Sequence, residues 1–132
     1  MRQLNPTKIF LSAYETTNSQ DSNEHATTDL HCALDAAGLT FRYVDDVFNG
    51  IPETTFCVFA TPGQILETIE ACIALGRVFG QDSVLVVHGD NAAELCECST
   101  DCSAIIGTFQ QVAAPASGED CTIADGKFYV VR

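Results

Sequence analysis

The sequence predicts an α+β domain of ferredoxin-like type: a split-βαβ antiparallel sheet with two helices on one face and extra C-terminal strands. Three observations predict it. Two amphipathic segments with recognisable helix boundaries are each flanked by short apolar runs of strand character, giving the order β-α-β-β-α-β. Further strand-like segments follow the second helix with no third helical period. At 132 residues the chain fits one domain spanning 1–132, because single domains typically run to about 100–150 residues. Residues 1–7 are expected to form a flexible N-terminal segment.

Lys8 to Tyr14 (KIFLSAY) reads as a strand with a largely apolar middle, followed by a polar loop from Glu15 to Ser22. A helix is expected from Asn23 to Ala37. Its Ala26, Leu30, Ala33, Leu34 and Ala37 follow the 3.6 period, Asp21 and Glu24 imitate a capping box, and Gly38 can end it. Thr40 to Val44 alternates as a second strand. Asp45 to Glu53 reads as a loop because it is rich in turn residues, and Thr54 to Ala60 (TTFCVFA) as a third, central strand. Thr61-Pro62-Gly63-Gln64 predicts the start of the second helix, with Thr61 as N-cap and Pro62 at the first helical position. Ile65, Ile69, Cys72, Ile73, Gly76 and Phe79 then share one face, and Gly80 closes the helix. Ser83 to His88, Ala93 to Cys98, Ile105 to Val112 and Lys127 to Val131 are the remaining strands, with loop from Ala113 to Asp120. Helices on one face leave the other face of such a sheet bare, and the apolar Cys57 and Phe59 suggest that a second copy of the chain covers it.

Charge narrows the function classes. Six basic against 18 acidic residues give a net charge of −12, and the basic residues are scattered singly. Neither nucleic acid nor an anionic membrane surface is an expected partner. The opening residues lack the apolar core of a signal peptide, and Val84 to Val87 is the longest aliphatic run. The expected location is therefore cytoplasmic. Seven cysteines form an odd set without an export signal, so reduced thiols are expected rather than a disulfide framework. Cys96, Cys98 and Cys102 have a spacing that matches no common zinc finger, and no metal is expected.

The sequence contains no nucleophile elbow, P-loop, dinucleotide fingerprint or H-E-x-x-H motif. The candidate site residues lie at strand ends, natural places for a small-molecule pocket. Glu53 is a lone carboxylate between a Gly-Pro turn and an apolar strand, beside Phe48. Ser12 and Tyr14 end the first strand, and His88 and Asp90 end the fourth, with Glu94 on the strand that returns beside it.

Four blocks in order resemble the phage S-adenosylmethionine lyases, long called S-adenosylmethionine hydrolases. The first is Ile9-Phe10-Leu11-Ser12-Ala13-Tyr14, similar to the family's opening strand, and the second is Val47-Phe48-Asn49-Gly50 followed by Glu53. Asp82-Ser83-Val84-Leu85-Val86 and Gly107-Thr108-Phe109-Gln110-Gln111-Val112 follow, the latter with its closing strand at Phe128-Tyr129-Val130. The resemblance implies a ferredoxin-like protomer assembled as a homotrimer with substrate between subunits. It also implies cleavage of S-adenosylmethionine to 5′-methylthioadenosine and homoserine lactone without metal or cofactor, in the host bacterial cytoplasm, as an anti-restriction activity. Glu53 would be the catalytic residue, with Phe48, Ser12, Tyr14, His88, Asp90 and Glu94 binding substrate. Phe48 stands where the family tends to have tyrosine, so a hydroxyl role there is lost or falls to Tyr14 or Tyr43.

A sparse site suits this chemistry. A sulfonium is already a good leaving group and the substrate's own carboxylate can attack its γ-carbon, so positioning supplies most of the acceleration. Two other classes compete: a non-enzymatic acidic protein that mimics DNA, motivated by the charge of −12, and a small ligand-binding module.

Overall fold

The computed structural model describes residues 6–15, 17–100 and 102–132. Eight strands and two helices follow one another as β1 (Lys8–Leu11), α1 (Gln20–Ala36), β2 (Thr40–Phe48), β3 (Ile51–Phe59), α2 (Ile65–Val78), β4 (Ser83–Val87), β5 (Ala92–Glu97), β6 (Ser103–Val112), β7 (Cys121–Ala124) and β8 (Lys127–Val131). The strands form a closed barrel in the order β1-β3-β2-β7-β8-β6-β5-β4, with β4 returning to pair with β1. Every pairing is antiparallel.

This corrects the expected fold class. The protein is not an open ferredoxin-like sheet with helices on one face. The neighbours β4-β1-β3-β2 form only half of the structure, and β5 to β8 curl round from β4 to meet β2 through β7. Closure removes both sheet edges and turns the second face inward. Cys57 and Phe59, expected to be bare or covered by another copy, therefore pack inside the barrel with Phe10, Val44, Val87 and Phe109.

Strand alternation sorts the side chains between two cores. Ile9 and Leu11, Phe56 and Val58, and Val84 and Val86 point outward beneath the helices, where Leu30 and Leu34 of α1 and Cys72 of α2 cover them. Phe10, Cys57 and Val87 point into the lumen. Both helices thus lie on one wall of the barrel.

Several boundaries differ from expectation for identifiable reasons. Helix α1 starts earlier because Ser19 is its N-cap, its hydroxyl accepting from the Ser22 amide at 3.1 Å. Helix α2 starts at Ile65. Thr61 to Gln64 is a turn, with the Gln64 amide donating to the Thr61 carbonyl at 2.9 Å and Gly63 at φ 88°. The segment from Asp45 to Glu53 is not a loop but a tight hairpin. Asn49 (φ 52°) and Gly50 (φ 76°) supply the two positive-φ positions of a two-residue turn, and the ladder runs unbroken from Thr40↔Phe59 to Phe48↔Ile51. A second hairpin of this kind, at Asp125 (φ 53°) and Gly126 (φ 73°), joins β8 to the unanticipated strand β7. Residues 1–5 of the expected flexible segment lie outside the described residues. Thr7 is buried and its carbonyl accepts from the Ala60 amide at 2.9 Å.

Candidate functional site

One end of the barrel is filled and the other is open. Phe10, Phe109 and Tyr129 form a partition across the lumen: Phe10 and Phe109 have ring centroids 5.4 Å apart, and Phe109 and Tyr129 stack at 5.2 Å. Above them lies a cavity of about 870 Å³, within the roughly 300–1,000 Å³ range of small-molecule sites. Its walls come from the end of β1, the β2–β3 hairpin, the starts of β4 and β7, the segment after α2, and parts of β5, β6 and β8.

Side-chain direction along β2 and β3 places the chemistry. Asp46 and Glu53 are direct cross-strand partners in the ladder, and both line the cavity. Burial, then the neighbouring Asp46 charge, pushes the Glu53 carboxyl up to about 7. Asp46 is raised as well, mainly by burial. The hydroxyls of Thr122 and Thr55 offset this in part, while Asp45 and Asp120 add to it. Thr55 Oγ1 donates to Asp46 Oδ2 at 3.1 Å, and Asp46 Oδ1 is buried with no hydrogen-bond partner. Like charges opposite one another on a sheet are unfavourable, so this arrangement costs stability and calls for a functional reason.

Glu15, Asp82, Glu119 and Asp120 add four carboxylates to the lining, and no lysine, arginine or histidine belongs to it among the described residues. Glu119 is held by Arg132 through two contacts of 2.9 Å, which lowers its carboxyl to about 2. Asp120 Oδ1 accepts from the Asn49 amide at 2.9 Å, tying the hairpin tip to the start of β7. The result is an aromatic floor beneath an acidic mouth.

The structure brings Glu53, Phe48, Ser12 and Tyr14 to this cavity. Ser12 is committed to the backbone: its hydroxyl donates to the Thr54 carbonyl at 3.1 Å and accepts from the Tyr14 amide at 3.0 Å. The Glu15 amide donates to Asn23 Oδ1, and Gln81 Nε2 donates to the Tyr14 carbonyl, both at 2.9 Å. These bonds pin the segment after β1 against helix α1 and against the connection from α2 to β4. His88, Asp90 and Glu94 are elsewhere. Because β1 and β4 are antiparallel, with Phe10↔Leu85 and Lys8↔Val87 in register, the C-terminal end of β4 lies at the opposite end of the barrel from Ser12. There His88 Nε2 meets Glu94 Oε1 at 2.7 Å, and Ser103 donates to Glu94 Oε2 at 2.6 Å. Asp90 Oδ1 accepts from the Ala92 amide in the turn.

Tyr43 points away from the cavity, its hydroxyl 2.5 Å from His31 Nδ1, whereas Tyr129, which sequence reasoning passed over, lies in the floor. Asp46 was also missed. The Asn49-Gly50 hairpin signal flanked by Val47 and Ile51 would have placed it opposite Glu53. Burial pushes the Cys57 thiol up to about 11 and Cys72 up to about 12 and raises Cys96, Cys98 and Cys121, so none of these five is an activated nucleophile.

No curated protein compared with the chain matches it. Residues 9–132 match the S-Adenosylmethionine lyase family, a match that runs from β1 to the end of β8 and takes in every wall of the cavity. The chain belongs to the S-adenosylmethionine lyase family.

Proposed function

We propose that the protein cleaves S-adenosylmethionine to 5′-methylthioadenosine and homoserine lactone within the barrel mouth. The observation that carries this reading is a lining of aromatic and acidic side chains with no basic one among the described residues. In the reaction an oxygen of the substrate carboxylate attacks its γ-carbon. The γ-carbon–sulfur bond breaks and its electron pair stays on sulfur, which leaves as a neutral thioether. A carboxylate and a sulfonium annihilate each other's charge, and removal from water favours such a step because both charged groups lose hydration. A basic residue paired with the attacking carboxylate would quench it.

Differential binding assigns the acidic groups. A carboxylate set against the sulfonium would stabilise the ground state more than the transition state, since the sulfonium charge disappears as sulfur leaves. The α-ammonium keeps its charge throughout, so Glu53 grips that end and folds the chain into a near-attack conformer. Phe48, Phe10, Phe109 and Tyr129 offer faces for the adenine and the sulfonium methyl. The chemistry needs no metal or cofactor.

The mouth is open to solvent on one side. Phe48 is 54% exposed, Ile51 47% and Ile106 49%, an apolar margin suited to contact with another copy. We assign the assembly as a homotrimer whose neighbouring copies cover these mouths and exclude water. Removal of S-adenosylmethionine in a bacterial cytoplasm would deprive methyltransferases and restriction systems of their cofactor, an anti-restriction effect.

Incubation of the pure protein with S-adenosylmethionine and chromatography of the products tests the reading. Methylthioadenosine and homoserine lactone in equal amounts are expected. Absence of both from folded protein would overturn it.

A further inference from the structure

The lyase reading uses Glu53, but Asp46 makes the site unusual. Two carboxylates stand directly opposite each other on β2 and β3, facing one cavity. Asp46 is fixed by the Thr55 hydroxyl at one oxygen, while the other is buried and unpartnered. The ionisable groups around the pair are Asp45 on its own strand, Glu119 (bound by Arg132) and Asp120 before β7, Cys121 on β7, Tyr129 on β8, Tyr14 and Glu15 after β1, and Asp82 before β4. Arg132 aside, none of these is a cation. Two neighbouring carboxylates without a counter-charge do not both ionise readily.

We infer that Asp46 and Glu53 act as one unit that shares a single proton in the empty barrel and releases it when the cationic end of a ligand enters between them. Asp46 is then a second substrate-binding carboxylate, and the released proton passes to the buffer. The incoming cation replaces the proton as the counter-charge, so the site favours cationic ligands over neutral isosteres and binds them more tightly as pH rises. The raised Glu53 carboxyl agrees with this arrangement. The inference takes the class of ligand from the lyase reading; the shared proton itself rests on the strand register.

Two measurements test it. In the free protein, side-chain carboxyl NMR should show one group titrating near neutrality, and Asp46→Asn should return that group toward the ordinary glutamate range. No such group in the wild type, or no change in the variant, would overturn the inference. Calorimetry in buffers of different ionisation enthalpy should then show release of about one proton on binding sinefungin near pH 6, falling to near zero near pH 8. Sinefungin carries an amine in place of the sulfonium and cannot react. Uncharged methylthioadenosine should bind without release, and Asp46→Asn should abolish the release with sinefungin. Sinefungin binding without proton release overturns the inference and leaves the lyase reading standing. If neither compound binds a protein whose carboxyl pair titrates as described, the lyase reading falls, and the ligand half of the inference with it.

Discussion

Replacing Glu53 by glutamine should stabilise the protein while disabling it, and the gain should depend on pH. The Glu53 carboxyl is raised from 4.5 to about 7 by burial and by Asp46. The folded barrel therefore holds this proton more tightly than the unfolded chain does. As pH rises from about 4.5 to about 7 the unfolded chain loses the proton first, so wild-type stability falls across that window and stays lower above it. A shift of this size corresponds to about 3 kcal/mol. Glu53 is only half-buried, so solvent screening reduces the expected effect to about 1–2 kcal/mol. Glutamine keeps the shape and cannot ionise. Urea unfolding followed by circular dichroism should show Glu53→Gln more stable than wild type by that amount near pH 8 and equal to it near pH 4. For a domain of this length the corresponding rise in Tm is roughly 3–10 °C. An equal gain at both pH values would show that packing, not charge, is responsible. No gain near pH 8 would refute the reasoning from burial and like charge.

Four further outcomes follow from the same geometry. For wild type, kcat/KM for S-adenosylmethionine should rise with pH through about 7 as the free enzyme's carboxyl pair loses its proton, and Glu53→Gln should abolish that inflection along with most turnover. Phe48 is 54% exposed, so Phe48→Ala should raise KM severalfold with a stability change under about 0.5 kcal/mol; Phe56, fully buried beneath the helices, should cost about 3–5 kcal/mol on truncation to alanine in denaturant unfolding. The Glu94 carboxyl is lowered by Ser103 and then by His88, so it stabilises the fold above its unfolded pKa and loses that effect as pH falls through the folded one; Glu94→Gln should destabilise by under about 1 kcal/mol at neutral pH and converge with wild type in strong acid.

What was legible in the chain was what depends on near neighbours. The apolar spacing of Leu30 and Leu34 and of Ile69, Cys72 and Ile73 marks the helices, and the alternation in β1 and β3 marks buried strands. Turn chemistry carried more than a loop reading extracts. Asn49-Gly50 and Asp125-Gly126 are each two-residue hairpin signals; a loop over Asp45 to Glu53 hides the extension of β2 and β3, and a segment from Cys121 to Gly126 left without an element hides β7. Glu53 stood out because a lone carboxylate beside an apolar strand is chemically odd in one dimension. Asp46 did not, since its neighbour Asp45 makes it look like an ordinary charged turn. His88 and Glu94 looked like strand-end candidates because sequence does not say which ends share an edge; the antiparallel β1–β4 pairing puts His88 at the other end of the barrel, and Glu94 on β5, opposite Val86, shares that residue's outward face.

The net charge of −12, the two helices and their buried faces, and the four family blocks were all determined by the sequence alone, because composition and periodicity are local properties. Barrel closure was decided only in three dimensions. A strand's pattern records which faces are buried but not which strand lies beside it, and a sheet covered by a second copy and a sheet curled on itself give the same alternation. Closure in turn gathers Glu15, Asp46, Glu53, Asp82, Glu119 and Asp120 around one mouth. Part of the net negative charge thereby becomes the wall of a cavity, because residues far apart in sequence share one end of the barrel.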